Sequence, residues 1–405
     1  MEHPLLQSYG PLEGWHILLF IGLISIGFFT YQVQKATRLV MLGSSDDRFD
    51  SWSTRISVFI SGWLFQKKVL RDKVAGTMHV LMFWGFLMLA SDMLDLATAN
   101  AFSGKVLPAI LVGPWNGMVE LGYFMALVGC VSALTRRVVF TPEKLKGKSQ
   151  LEGNVILLLI LTITTTSFMV ESAESPSSFW EPLGYWFSEQ GLSEQTVILS
   201  YWAHMLAISV FLFLIPLSKH MHLVMAVPNV FFHDAGPIAR MRPLATGDDG
   251  KAVPLEDLDI DSFGVSTYNQ YSWRQLIDGW SCTSCARCQD VCPAYASGKG
   301  LNPMQVIHDV RNYANDHAPI LLSGGQPEET ILERITEEAV WACTTCNACV
   351  DVCPLYIEHV PKLTDLRRNA MMETMEYPEV LNTAMGNIES ASNPYGFGAH
   401  ERADW

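Results

Sequence analysis

The sequence predicts an all-α protein in two parts, a five-helix transmembrane bundle followed by a helical, cysteine-rich domain. Three observations carry this reading. Residues 1–230 contain five long apolar runs nearly free of charge, and residues 231–405 hold most of the acids. Eight of the nine cysteines fall in two tight clusters after residue 280. A chain of 405 residues has room for two such domains.

The apolar runs lie near Trp15–Val33, Gly76–Leu96, Asn116–Leu134, Asn154–Ser172 and Val197–Leu217. Each is long enough to cross about 30 Å of hydrocarbon as a helix. Positive mean hydropathy and a low charged fraction favour a membrane protein over a soluble one. The run Ile56–Phe65 is too short to span and is expected at the interface, with Trp63 as an anchor. The first run lacks a basic flank and a small-residue cleavage site, so it reads as a retained helix rather than a signal peptide.

Loop charges set the orientation. The segment between the first and second runs carries Lys35, Arg38, Arg48, Arg55, Lys67, Lys68, Arg71 and Lys73, and that between the third and fourth carries Arg136, Arg137, Lys144, Lys146 and Lys148. The opposite loops offer Lys105 alone, and residues 173–196 contain Glu174, Glu181, Glu189 and Glu194 with no Lys or Arg. The positive-inside rule therefore places the amino terminus outside and everything after the fifth run in the cytoplasm. The expectation is a multi-pass protein of the inner membrane. A formal charge of −14 gives no support to a nucleic-acid partner.

The strongest chemical signal is Cys282-Thr-Ser-Cys285-Ala-Arg-Cys288-Gln-Asp-Val-Cys292-Pro293, repeated as Cys343-Thr-Thr-Cys346-Asn-Ala-Cys349-Val-Asp-Val-Cys353-Pro354. Three closely spaced thiolates wrap one iron–sulfur cubane, and the fourth cysteine, beside proline, ligates the other cluster. Cys282, Cys285, Cys288 and Cys353 are thus expected to hold one 4Fe–4S cluster, and Cys343, Cys346, Cys349 and Cys292 the second. Zinc is the rival, but zinc modules pair C-x2-C units and do not repeat this four-cysteine run. Cysteines clustered in this way need a reducing compartment, which agrees with the loop charges. Cys130, among small and apolar residues, reads as packing.

Helices are expected between the two motifs. One starts at Asn302-Pro303, with an apolar stripe of Val306, Val310 and Tyr313. Another runs from about Pro327 through Ile331, Ile335 and Val340 to Trp341. This pattern resembles the alpha-helical ferredoxin found beside succinate dehydrogenase and heterodisulfide reductase.

Histidines in the apolar runs are functional by default, because an imidazole in hydrocarbon is costly. His79 lies near the cytoplasmic end of the second run. His204 and His222 are 18 residues apart, which in one continuous helix is five turns and about 27 Å on a single face. His79 and His222, expected at the same depth, are the proposed axial ligands of a haem. The competing reading is a histidine that bonds a neighbouring helix or sits among headgroups. His220, two residues away, points off that face and reads as an interfacial or proton-handling residue, with ligation as its alternative.

The stretch from His204 through Pro216 and Ser218-Lys-His-Met-His222 resembles the fifth helix of the nitrate reductase gamma-subunit cytochromes b. That family carries two further histidines, ten apart, in its second helix; here the first matches His79 and the second position is Leu89. The resemblance therefore implies one haem b, at His79 and His222. His204 has two readings, a ligand of an outer haem (with His16 as the other intramembrane histidine) or a quinone-site residue. Asp92, Asp95 and Glu120 are further candidates for proton handling at a quinone, or for helix packing.

The order of parts, a gamma-type cytochrome b and then a helical two-cluster ferredoxin, resembles the membrane-bound iron–sulfur oxidoreductases related to heterodisulfide reductase. That group includes the electron-transfer-flavoprotein:menaquinone oxidoreductases. The strings Pro228-Asn-Val-Phe-Phe232, Cys292-Pro-Ala-Tyr-Ala-Ser-Gly-Lys299, Cys353-Pro-Leu-Tyr-Ile-Glu-His359-Val-Pro-Lys362 and Asn393-Pro-Tyr-Gly396 carry the likeness. Such proteins usually continue into Cys-Cys-Gly domains that bind a noncubane cluster, whereas no cysteine follows Cys353 here. That part is expected on a separate subunit, or to be absent, and the expected cytoplasmic partner bears either the noncubane cluster or a flavin.

The expected domains are 1–230, a cytochrome b-like membrane domain; 231–270, a linker along the membrane surface; 271–370, the ferredoxin domain; and 371–405, a tail that docks the partner. The resemblance implies electron relay between the cytoplasmic partner and menaquinone. A heterodisulfide-, sulfite- or lactate-linked reductase using the same relay is one alternative. An anchor without redox activity is the other.

Overall fold

In the computed structural model, residues 4–101, 109–140, 148–173, 176–238, 240–244, 253–257 and 263–403 are described. Lys105, Lys144, Lys146, Glu174 and Trp405 lie outside them, as do the side chains of Asp92 and Asp95. The chain divides into two compact units.

The first unit comprises residues 1–36 and 56–227. Five of its helices are long and apolar enough to cross a membrane. They are α1 (Gly14–Val40), α2 (Lys73–Ala101), α3 (Ala109–Val138), α4 (Lys148–Glu171) and α5 (Glu194–Leu217). The five expected runs coincide with these five helices. Two starts have side-chain caps, since Asp72 accepts from the Ala75 N–H at 3.1 Å and Ser193 from the Thr196 N–H at 3.2 Å. Inside the apolar runs, hydroxyls turn back onto their own helix: Thr164 donates to the Ile160 carbonyl at 2.9 Å and Ser167 to that of Ile163 at 2.9 Å. Those hydroxyls need no solvation from lipid.

Helix α2 packs on α3, α3 on α4 and α4 on α5. The α2–α3 contact depends on missing side chains. A Cβ on Gly85 would lie 2.7 Å from the Gly122 carbonyl, and one on Gly122 would lie 2.7 Å from the Met88 Cβ. In lipid, such close backbone approach replaces the hydrophobic effect as the source of helix association. Cys130 is fully buried and donates its thiol to the Leu157 carbonyl at 2.9 Å, joining α3 to α4. Glu120, a candidate for proton handling or for helix packing, caps the short helix Pro182–Glu189 by accepting from the N–H groups of Leu183 and Gly184.

The structure corrects one expectation here. His204 and His222 do not share a continuous helix. α5 ends at Leu217, and Ser218 is extended (φ −122°, ψ 178°). A single 3-10 turn, Lys219–Met221, then precedes α6 (His222–Phe231). Pro216 has no N–H for the helical ladder, and the Ser218 hydroxyl accepts from the His220 N–H at 3.1 Å. The five-turn geometry therefore does not apply.

The second unit comprises residues 37–55 and 228–405. Residues 37–55, grouped with the membrane half in the sequence, pack here. The Ser44 N–H donates to the Tyr271 carbonyl at 2.9 Å, and Ser44 O accepts from the Trp273 N–H at 3.1 Å. The end of the expected linker is also packed, since Tyr268 is fully buried and the Val265 N–H donates to the Asp365 carbonyl at 3.0 Å. Its main helices are α7 (Trp273–Ser281), α8 (Pro303–Asp316), α9 (Glu337–Ala342), α10 (His359–Asn369) and α11 (Val380–Ala391). Capping explains several starts: Ser272 and Gln275 form a capping box for α7, and Asn302 with Pro303 opens α8.

The core of this unit holds charges with no exposure at all: Arg274, Asp278 and Lys362. The Asp278 carboxylate accepts from Arg274 at 2.8 Å and from the Lys362 ammonium. Arg274 also donates to the Phe232 carbonyl at 2.9 Å and to that of Tyr356 at 3.0 Å. Burial disfavours the Asp278 carboxylate, yet the two cations hold its pKa down at about 2. Removing one member of a buried ion group leaves the others uncompensated, typically a loss of about 3–5 kcal/mol. Asp278→Ala is therefore expected to destabilise this unit by about that amount, read as a lower denaturant midpoint for cofactor loss with the helix content of the membrane unit unchanged.

Candidate functional site

The two cysteine motifs adopt the same backbone. α7 ends at Ser281 and hands the chain to Cys282, whose N–H donates to the Asp278 carbonyl at 3.1 Å. The loop then bends through positive φ at Ser284 (56°) and Ala286 (61°). After α9 the second loop repeats this at Thr345 (54°) and Asn347 (59°). A left-handed non-glycine residue costs about 1–2 kcal/mol. The same strain at the same two offsets in both repeats marks a functional loop rather than a packing accident.

These bends turn the cysteines inward around two cavities. Cys282, Cys285, Cys288 and Cys353 border the first; Cys292, Cys343, Cys346 and Cys349 border the second. Each set draws three residues from one motif and the fourth from the other. Among the described residues no three His, Cys, Asp or Glu side chains converge as ligands of a single metal ion. Zinc needs its sulfurs about 2.3 Å from one point, whereas four sulfurs spread around a cavity suit a polynuclear cluster.

Burial also matters for charge. It pushes the thiols of Cys282, Cys349 and Cys353 up to about 12, and that of Cys288 higher still, with the neighbouring cysteines adding repulsion. Such a ring becomes thiolate at neutral pH only against a cationic centre. The donor set therefore fits iron–sulfur ligation. The first set is the more enclosed, since Cys346 of the second is exposed and Cys343 partly so.

Two histidines near the cysteines escaped the sequence reading as site residues. His359 borders both cavities and is 2% exposed, and its Nδ1 lies 3.1 Å from the Ile357 carbonyl. Burial, aided by Lys362, lowers its pKa to about 4, so its ring is neutral. His308, on α8, places Nε2 at 3.5 Å from the Cys282 Sγ. Its sequence signal was faint, a polar residue beside the apolar positions Val306, Ile307 and Val310.

In the first unit the structure brings His220 and His222 together, and His79 and His222 share one kind of Nδ1 contact. The Nδ1 of His79 lies 2.8 Å from the Gln66 Oε1, and that of His222 lies 2.8 Å from the Lys219 carbonyl. Both acceptors fix the Nδ1–H tautomer, so Nε2 carries the lone pair, the arrangement that orients metal-bound imidazoles. The rings of His220 and His222 are 5.7 Å apart. An Nε2 lone pair is the form in which a neutral imidazole can ligate a metal. His204 is placed elsewhere, its Nδ1 3.1 Å from both the Ile163 carbonyl and the Thr166 hydroxyl of α4. The Nδ1 of His16 lies 3.2 Å from the Glu13 amide nitrogen, and its ring stacks on Trp15.

Residues 274–354 match the family of 4Fe-4S dicluster domains. The chain carries a 4Fe–4S dicluster domain. It is similar to the EtfAB:quinone oxidoreductase of Syntrophomonas wolfei, at 28% identity over 96% of this chain and 59% of that protein. It is also similar to the probable iron-sulfur-binding oxidoreductase FadF of Bacillus subtilis, at 27% identity over 96% of this chain and 60% of that protein. The chain thus spans about three fifths of the length of these relatives. It is 32% identical to one component of the ferredoxin:CoB-CoM heterodisulfide reductase of Methanosarcina mazei, over 25% of this chain and 53% of that component. No solved structure matches the chain. The chain is a homologue of these oxidoreductases and oxidoreductase subunits, and it joins the dicluster domain to five membrane-length helices.

The crossed grouping leads to a direct test. Cys292→Ser is expected to degrade the cluster bordered by Cys343, Cys346 and Cys349, though Cys292 belongs to the other motif. Iron analysis and EPR of the reduced protein should show that cluster altered and its neighbour intact; damage confined to the neighbour would overturn the grouping.

Proposed function

We propose that this chain is the membrane subunit of a respiratory oxidoreductase, relaying electrons between a cytoplasmic flavin or iron–sulfur partner and menaquinone. The observation that carries the reading is that one chain joins five membrane-length helices to two crossed sets of four cysteines. The names of its relatives, an EtfAB:quinone oxidoreductase and a heterodisulfide reductase component, support the same class of reaction.

Two 4Fe–4S clusters and one haem b, when bound, supply one-electron carriers between a soluble two-electron donor and a quinone. The residues do the positioning. The eight cysteines hold the clusters in the grouping described above. His79 and His222 would hold the haem, each ring being oriented through Nδ1 by Gln66 or by the Lys219 carbonyl. The gamma-type string from His204 to His222 supports this pair. His220, whose ring lies 5.7 Å from that of His222, is the second reading for the partner of His79. His204, tied to α4, is the intramembrane histidine assigned to the quinone. The loop charges favour the cytoplasmic side of the inner membrane for the cysteine domain, where a soluble partner can reach it.

The tail is the proposed docking element. α11 has no buried residue, and Val380, Met385 and Ile388 are exposed. Beyond it, Asn393 holds a turn by accepting from the N–H groups of Tyr395 (3.1 Å) and Phe397 (3.2 Å), which leaves both rings exposed. Exposed Met and aromatic side chains on an ordered element are the composition of a protein interface. Deleting 378–405 is expected to release a cytoplasmic subunit bearing the noncubane cluster or a flavin, with haem and cubanes retained. Full co-purification of that subunit with the truncated chain would sink this assignment.

Haem separates the relay from a mere anchor. A pyridine haemochrome assay on the purified chain should detect haem b, and its absence would leave only the anchor reading. His79→Ala and His222→Ala should each abolish the same low-spin haem signal. Loss with His220→Ala in place of His222→Ala would select the second reading.

A further inference from the structure

The two cysteine repeats are alike in backbone, so the places where they differ in side chains are informative. In each repeat a helix follows the motif and overlays its first cysteine. α8 starts at Pro303 and α10 at His359. Eight residues into each helix stands an arginine, Arg311 or Arg367, close enough to Cys282 or Cys343 respectively to favour the thiolate. Five residues in, the repeats diverge. α8 has His308, whose Nε2 lies 3.5 Å from the Cys282 Sγ and 3.1 Å from the Ser284 hydroxyl. α10 has Thr364, whose hydroxyl turns back to the Val360 carbonyl at 3.0 Å. The backbone contact is common to both repeats, Ser284 N–H to the Cys282 sulfur and Thr345 N–H to the Cys343 sulfur, the latter at 3.4 Å.

We propose that His308 is a positioning residue that donates its Nε2–H to the Cys282 sulfur and selectively raises the reduction potential of the cluster bordered by Cys282, Cys285, Cys288 and Cys353. The physical reason is charge. Reduction adds an electron to an already anionic iron–thiolate centre, and a hydrogen bond to sulfur stabilises the more negative state. This cluster is the more buried, and burial alone disfavours added negative charge. The imidazole offsets that penalty on one side of the repeat, where the other side has Thr364 and greater exposure. The two potentials are thereby brought closer, which suits transfer in series.

The proposal rests on the reading that the two cavities hold 4Fe–4S clusters. Iron and sulfide analysis of each preparation separates failure of that reading from failure of this one. In the full chain, EPR-monitored redox titration of His308→Leu should show the midpoint of the Cys282 cluster shifted to lower potential. The Cys343 cluster should be unmoved, and His308→Gln, which keeps an N–H donor, should recover most of the shift. An unchanged midpoint, or an equal shift of both clusters, overturns the proposal. If the leucine variant does not assemble its clusters, pulsed EPR of the otherwise wild-type chain labelled with 15N-histidine serves instead. A nitrogen coupling on the reduced Cys282 cluster that His308→Gln removes supports the assignment; a spectrum unchanged by that substitution overturns it.

Discussion

The second unit is organised by one buried carboxylate. Asp278 sits on the helix that leads into the first cysteine motif, and Lys362 on the helix that leads out of the second. Their ion pair joins the two ends of an internal repeat. Through its backbone carbonyl Asp278 also holds the Cys282 N–H, and through its carboxylate it accepts the Glu358 N–H at 3.2 Å, five residues beyond Cys353. Cys282 and Cys353 come from different motifs yet border one cavity, and Asp278 holds the backbone on both sides of it. A buried ion group of this kind is a weak source of net stability, because desolvation consumes most of the Coulomb gain. Its value here is register. A hydrophobic contact tolerates sliding, whereas a carboxylate held by two cations does not.

Around that clamp the charge continues outward in the same unit. Glu358 is 4% exposed and accepts from Arg48 at 3.1 Å and from Arg242, so residues 37–55 and 240–244 are fastened to the loop after Cys353. A short segment that follows a membrane-length helix therefore belongs structurally to the cysteine unit. The strained loops depend on this scaffold. Four non-glycine residues held at positive φ must be stabilised by their surroundings, and the metal–sulfur bonds of a bound cluster are the natural source.

The membrane unit solves a different problem. Its helices have no water to drive them together, so they associate through close backbone approach at Gly85 and Gly122 and through bonds such as Cys130 to the Leu157 carbonyl. The break at Ser218 is the feature with chemical consequence. It ends α5, and in the 3-10 turn that follows the Lys219 carbonyl meets both the His222 N–H and the His222 Nδ1. The same break turns His220 back toward the ring of His222.

The five membrane-length helices and the two cysteine motifs were legible in the sequence, because both depend on local rules. A helix in hydrocarbon must be long and apolar wherever its neighbours lie, and a cluster loop needs its thiols within a few residues of one another. What depended on distant contacts was not legible. Residues 37–55 joined the second unit through the Ser44–Tyr271 and Arg48–Glu358 bonds, which link positions more than 200 residues apart. Glu120 became a cap only because Leu183 and Gly184 arrive beside it, and the single helix expected from His204 to His222 was interrupted at Ser218. His308 gained its interest from a sulfur on another helix turn of the fold, not from its neighbours in sequence. Periodicity and spacing encode which groups the chain carries. Only tertiary packing decides which donor meets which acceptor, since that choice is made across the chain by partners no local pattern can specify.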